Sequence, residues 1–133
     1  MELVIDTSAI MAILQSEEEA RLFLGVVAAA DRRRMSAASY VELGVATGRS
    51  GEPRLVELMD RFLHTAEIEI EPVTVRQAQV AREAHSRYGR RSGHPAKLNF
   101  GDCFSYALAM ELGHPLLFKG GDFAQTDVLP ALV

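Results

Sequence analysis

Cysteine is nearly absent from this chain. Cys103 is the only one among 133 residues, so no disulfide can close within one copy. That is the pattern of a protein kept in a reducing compartment, and a cytoplasmic location is expected. Zinc-type spacing is missing as well. His64, His85, His94 and His114 are scattered, which sets aside a site of paired imidazoles or thiolates. The longest apolar runs are far too short to span a bilayer. The stretch MELVID has no basic region ahead of an apolar one, so no signal peptide is expected. There is no internal repeat, low-complexity tract or interdomain linker. Overall positive charge is lacking too: the net charge is −4 at pH 7, and bulk attraction to nucleic acid is excluded.

What is present is an ordinary globular mixture, 48% hydrophobic and 24% charged. It is long enough to bury a core without staples, and a single domain over 1–133 is expected. The pattern alternates short apolar strands with helices. ELVI, ending at Asp6, reads as a buried strand, and SAIMAIL as a helix. Ser16 followed by three glutamates resembles a helix start running to about Ala30. RMSAAS is a weak strand candidate, followed by a helix over about Tyr40 to Thr47. Pro53 suits the first turn of the helix RLVELMDRFLHTA. EIEIEPV alternates strictly, as a half-buried strand near a sheet edge does. A long helix, TVRQAQVAREAHSRYG, ends at Gly89, and RRSGHPAKLN is a loop. GDCFSYALAMEL is a helix with Gly113 beyond it, HPLLF a short strand, GGDFAQTD turn-rich, and LPALV either returns to the sheet or packs. The fold class expected is α/β, with a central, mainly parallel sheet flanked by helices.

Four of the 18 acids stand out by position. Asp6 directly follows the first strand. Glu42 lies in the helix after the second strand candidate. Asp102 opens the late helix, and Asp122 follows PLLF. Strand ends and helix starts share one edge of a parallel sheet, where ligands bind. Each acid alone has an ordinary explanation. Asp6 can cap the next helix, as can Thr7 or Ser8. Glu42, with Ala38, Val45 and Ala46 on its helix face, can form a salt bridge. Asp102 can be a first-turn acid facing the helix dipole. Asp122 in GGDF can be a turn residue. A metal accounts for all four together: clustered carboxylates repel, and a hard cation such as Mg²⁺ or Mn²⁺ relieves this through oxygen ligands. Such centres act on phosphates. Cys103 reads as a small buried residue, since nothing nearby in sequence activates it.

At these residues the chain resembles a known family. LVIDTSAI, SAASYVELG, LNFGDCFSYALA and PLLFKGGDFAQTD occur in the order of a PIN-domain ribonuclease, more narrowly a VapC-type toxin of a bacterial toxin–antitoxin pair. The resemblance spans essentially the whole chain. It implies a PIN-like fold with an acidic metal site at the carboxyl edge of the strands. The family's acidic quartet falls on Asp6, Glu42, Asp102 and Asp122, with Asp6 and Asp102 as direct Mg²⁺ ligands and Mn²⁺ as a substitute. Thr7 and Ser8 match its small polar position, and Asn99 can hydrogen-bond near the site. Many relatives carry a polar or acidic residue before the last acid's turn, where this chain has Lys119-Gly120-Gly121. Asp127 is the candidate to assist Asp122, with capping of the last short helix as its other reading.

The reaction implied is Mg²⁺-dependent hydrolysis of structured RNA, with tRNA or ribosomal RNA as substrate classes. The partners implied are a VapB-type antitoxin covering the site, a second copy in a homodimer, and a toxin–antitoxin hetero-oligomer. Arg82, Arg87, Arg90, Arg91 and Lys97, against Glu83 alone, give the stretch 82–97 a net +4, a candidate for phosphate contacts. A solvated helix face is the plainer reading of such a run. Two rival classes compete. A HAD-like phosphatase needs a second aspartate where Ser8 stands, and a receiver domain needs an acid pair closer than Glu2 and Asp6, although Lys119 superficially suits either. Neither requires Glu42. A non-catalytic RNA- or protein-binding module would keep the basic run without needing the acids.

Overall fold

The structure, a computed structural model, describes residues 1–132; Val133, the end of the LPALV segment, lies outside them. Four parallel strands form one sheet: β1 (Glu2–Ile5), β2 (Arg32–Ser36), β3 (Ile68–Glu71) and β4 (Leu116–Leu117), in the order β3-β2-β1-β4. Six helices connect and cover them: α1 (Thr7–Leu14), α2 (Ala20–Ala29), α3 (Ala37–Arg49), α4 (Pro53–Thr65), α5 (Val75–Tyr88) and α6 (Asp102–Leu112). The α/β class and the parallel sheet expected from the alternation are both present.

β1 explains its own apolar run. Leu3 and Ile5 join one core with Met35, Leu43, Phe23 and Leu117, while Val4 joins the other with Leu108, Leu116 and Ala107. A central strand covered on both faces needs consecutive apolar residues. β3 lies at the edge, as expected, but its alternation holds only at its start: Ile68 is buried and Glu69 exposed, whereas Ile70 is exposed and Glu71, paired with Arg34, half-buried. The LPALV segment does return to the sheet: Leu116 N–H donates to Leu129 O, and Ala131 N–H to Leu116 O.

β2 starts two residues before its expected place, so three arginines lie in a strand. Cross-strand acids explain it. Arg32 makes two hydrogen bonds to Glu69, at 3.1 and 2.7 Å. Arg34, nearly buried, pairs with Glu2 at 2.9 Å and Glu71 at 3.3 Å. Arg33, on the other face, donates to the last carbonyls of α2, including Ala30 O at 2.8 Å, which satisfies groups that a helix end leaves open. Ser16 is not a helix cap. It adopts φ 52°, and α2 begins only at Ala20, behind Glu19 and without a side-chain cap. A serine does cap the next helix: Ser36 Oγ, at the start of α3, accepts from Ala38 N–H at 3.2 Å. That starts α3 three residues earlier than expected. Gly113 ends α6 at φ 69°, the left-handed position glycine favours. Gly89 ends α5 for another reason: its φ is −66°, and a Cβ there would collide with His85 O.

Candidate active site

The carboxyl ends of the strands gather the four acids. Asp6 sits immediately after β1 and is 2% exposed. It is the N-cap of α1, so the capping expectation holds: Oδ2 accepts from Ser8 N–H at 3.0 Å and from Ser8 Oγ at 2.7 Å. Its other oxygen accepts from Ser105 Oγ at 2.5 Å. Ser105 Oγ also lies 3.0 Å from Ser39 Oγ. A buried carboxylate is thus held by one backbone and two hydroxyl donors. Ser8 Oγ in turn accepts from Lys119 N–H at 3.0 Å, which ties the turn after β4 to the end of β1. The Lys119 ammonium is engaged elsewhere, with Glu17 and Glu19. Thr7 donates to Ser39 O at 3.0 Å, fastening α1 to the first turn of α3.

Asp102 and Asn99 clasp each other. Asn99 N–H donates to Asp102 Oδ2 at 2.9 Å, and Asp102 N–H donates to Asn99 Oδ1 at 2.8 Å. The reciprocal pair closes the start of α6 as a capping box would. Burial pushes the Asp102 carboxyl up to about 7, with Asp6, Glu42 and Asp122 adding to the rise and the Asn99 amide opposing it. Burial also raises Glu42, with Thr7 opposing and Asp6 adding. The Glu42 carboxylate lies against the backbone of Gly101, so closely that a Cβ there would sit 2.7 Å from its Cδ. Glycine next to Asp102 is therefore what admits Glu42. Asp122 is exposed, just before a short 3-10 turn at Phe123–Gln125. Its field at Asp102 is the weakest of the three. Among the described residues, no three acid, histidine or cysteine side chains stand close enough to hold one ion.

Residues 3–129 match the PIN domain family. The chain belongs to it. Among curated relatives it is similar to ribonuclease VapC28 of Mycobacterium tuberculosis, 50% identical over 130 residues covering 98% of both chains. It is also 51% identical to a ribonuclease VapC of Mycolicibacterium smegmatis over 127 residues, covering 95% of this chain and 97% of that one. The crystal structure of M. tuberculosis VapC20, described as a sarcin-ricin loop cleaving toxin, shares the fold with a TM-score of 0.77 at 18% identity, covering 96% of both chains. VapBC2 of Rickettsia felis, bound to a promoter DNA fragment, gives 0.73 at 16% identity, covering 98% of this chain and 96% of that one.

Within this PIN chain, other candidate residues fall into place. Asp127 accepts from Tyr106 Oη at 2.6 Å and Tyr88 Oη at 3.1 Å, so it joins α5 and α6 to the segment before Pro130. Arg82 and Arg87 are exposed on α5, and Arg90, Arg91 and Lys97 are exposed in the following loop. None of the five takes part in an ion pair among the described residues. Arg87 lies over the Tyr88 ring at 4.8 Å. Burial, with Asp102 adding, pushes the Cys103 thiol up to about 11, so it is no nucleophile at neutral pH. Ser105 is the residue sequence reasoning missed. The one available signal was its position, one turn beyond Asp102 on the same helix face. No described helix is long and apolar enough to cross a membrane.

Proposed function

We propose that the chain is a divalent-metal-dependent endoribonuclease, the toxin of a toxin–antitoxin pair. The observation carrying this is Asp102, whose carboxyl is pushed up to about 7 chiefly by burial, with the charges of Asp6, Glu42 and Asp122 adding to the rise. A site that disfavours its own negative charge fits a cation, and an all-oxygen donor set fits Mg²⁺ or Mn²⁺. Asp6 and Asp102 would hold the ion directly, with Glu42 and Asp122 completing its surroundings. A bound hard cation supplies charge neutralisation and Lewis acidity toward a phosphodiester.

The chain's own residues do the rest. Ser8 and Ser105 fix the Asp6 carboxylate, and Asn99 fixes that of Asp102. Gly101 leaves room for Glu42 to face them, where a carboxylate can orient an attacking water and take its proton. RNA would be repelled by the acids alone, so Arg82, Arg87, Arg90, Arg91 and Lys97 serve as phosphate contacts. The substrate class is structured RNA, tRNA or ribosomal RNA, in which an exposed loop is read by shape and by unstacked bases. A VapB-type antitoxin, binding over the site, is the partner; the VapBC complex among the fold neighbours supports this assignment. Homodimerisation belongs to the same reading.

The test is cleavage of total RNA by purified wild type and Asp102→Asn, with Mg²⁺ or EDTA, and mapping of new RNA 5′ ends after induction. Wild type cuts only with the metal, and the variant folds but does not cut. Full-rate cleavage by Asp102→Asn would overturn the assignment.

A further inference from the structure

Phe100 is the most exposed aromatic ring among the described residues, at 75%. It is also among the most firmly held. Its backbone lies inside the reciprocal clasp of Asn99 and Asp102. Its ring packs edge-to-face against Phe104, centroids 5.1 Å apart at 76°. An exposed apolar ring on a fixed backbone contributes little to the fold, since it leaves most of its surface in water.

Its position gives it a use. On one side is a cavity of about 410 Å³ lined by Val41, Glu42, Phe100 and Gly101, so the ring borders the acid cluster. On the other is a cavity of about 360 Å³ lined by Arg82, His85 and the same Phe100. Arg82 is shared with a third hollow of about 470 Å³, which Arg87 lines together with one acid, Glu83. Phe100 thus borders both a hollow that Glu42 lines and one that Arg82 lines, and Arg82 also lines the hollow that holds Arg87.

Resting on the nuclease reading above, we infer that Phe100 is a stacking platform for an unpaired RNA base next to the bond that is cut, with Arg82 and Arg87 holding the phosphates leading to it. Charge favours this occupant. An RNA strand offers flat faces to the ring and phosphates to the two guanidinium groups at once. Phe100 acts by positioning the strand, and it determines which loops are accepted.

The test uses the full chain as Asp102→Asn, which binds without cutting, and an RNA hairpin with 2-aminopurine in its loop. Binding quenches the fluorescence by stacking. Adding Phe100→Leu abolishes the quench and weakens binding between about fivefold and a hundredfold. Phe100→Trp restores both, which excludes a folding defect as the cause. Arg82→Gln lowers the slope of log affinity against log salt by about one unit. Unchanged affinity and quench in Phe100→Leu would overturn the inference. So would a halved mass by light scattering in Phe100→Leu with RNA binding intact, because the ring would then serve contact between copies. If the quench behaves as stated but wild type with Mg²⁺ cuts neither the hairpin nor total RNA, the nuclease reading falls and the platform stands.

Discussion

Gly101→Ala separates the geometry of the acid cluster from the stability of the fold. Gly101 has φ −63° and ψ −39°, a conformation alanine adopts freely. Replacing glycine at such a position stabilises by about 0.4–1 kcal/mol through the unfolded chain. Against this, the new methyl would fall on Glu42 Oε2 and lie 2.7 Å from its Cδ and 3.0 Å from Oε1, where ordinary contact begins at 3.4 Å. The obstacle is the tip of a half-buried side chain, not backbone. Glu42 swings aside at an off-rotamer cost of about 0.5–1.5 kcal/mol. The two effects nearly cancel, so the melting temperature hardly moves. Activity does move, because the carboxylate must retreat by more than about 1 Å to reach ordinary contact, and a misplacement of about 1 Å already costs on the order of a hundredfold in rate. The assay is RNA cleavage by Gly101→Ala, Glu42→Ala and the double variant. Since both changes remove one function, the double variant should be no slower than Glu42→Ala alone. Wild-type cleavage by Gly101→Ala, or full additivity in the double variant, would refute the placement of Glu42 in the reaction.

The raised Asp102 pKa sets a pH dependence. Folded protein keeps this proton up to about pH 7, while the unfolded chain releases it near 3.9. The unfolded state therefore binds fewer protons between these values, and stability in EDTA falls as pH rises from about 4 through about 7. Asp102→Asn should flatten that slope in thermal melts, and Mn²⁺ should raise the wild-type midpoint most above pH 7, where the carboxylate is free to bind it. Ser105→Ala leaves Asp6 Oδ1 buried without its donor and should cost about 1–3 kcal/mol by urea unfolding, with a fall in cleavage rate that Ser105→Thr partly reverses. Asp127→Asn should behave differently, lowering stability by about 1 kcal/mol while RNA cleavage per folded molecule stays within twofold of wild type.

The site was legible where the local pattern carried it. Asp6 follows β1, Glu42 lies in the helix after β2 and Asp122 comes after β4, places that alternation of strands and helices marks locally, whereas Asp102 opens a helix reached from α5 through a loop. What escaped depends on partners distant in sequence. Arg32 and Arg34 fit a strand because Glu2, Glu69 and Glu71 lie beside them, and Arg33 because it reaches the carbonyls at the end of α2. Ser16 has the residue type of a cap, but Glu17 N–H bonds to Ala12 O and turns the chain there. Ser105 hides in an apolar helix because its partner Asp6 is 99 residues away. Asp127 read either as an assistant to Asp122 or as a cap of the last short helix, and its partners in space, Tyr88 and Tyr106, lie far from it in sequence.

The bond from Lys119 N–H to Ser8 Oγ spans 111 residues, and it sets an order of events during synthesis. Contacts between such distant segments form late and slowly. A chain still emerging from the ribosome, with β4 not yet released, lacks the strand beside β1, the donor to Ser8 and Asp122 itself. On the site proposed above, a nascent copy lacks one of the four acids. The interval between translation of β1 and docking of β4 is a window in which a second protein, made alongside, can be present before the first cut is possible.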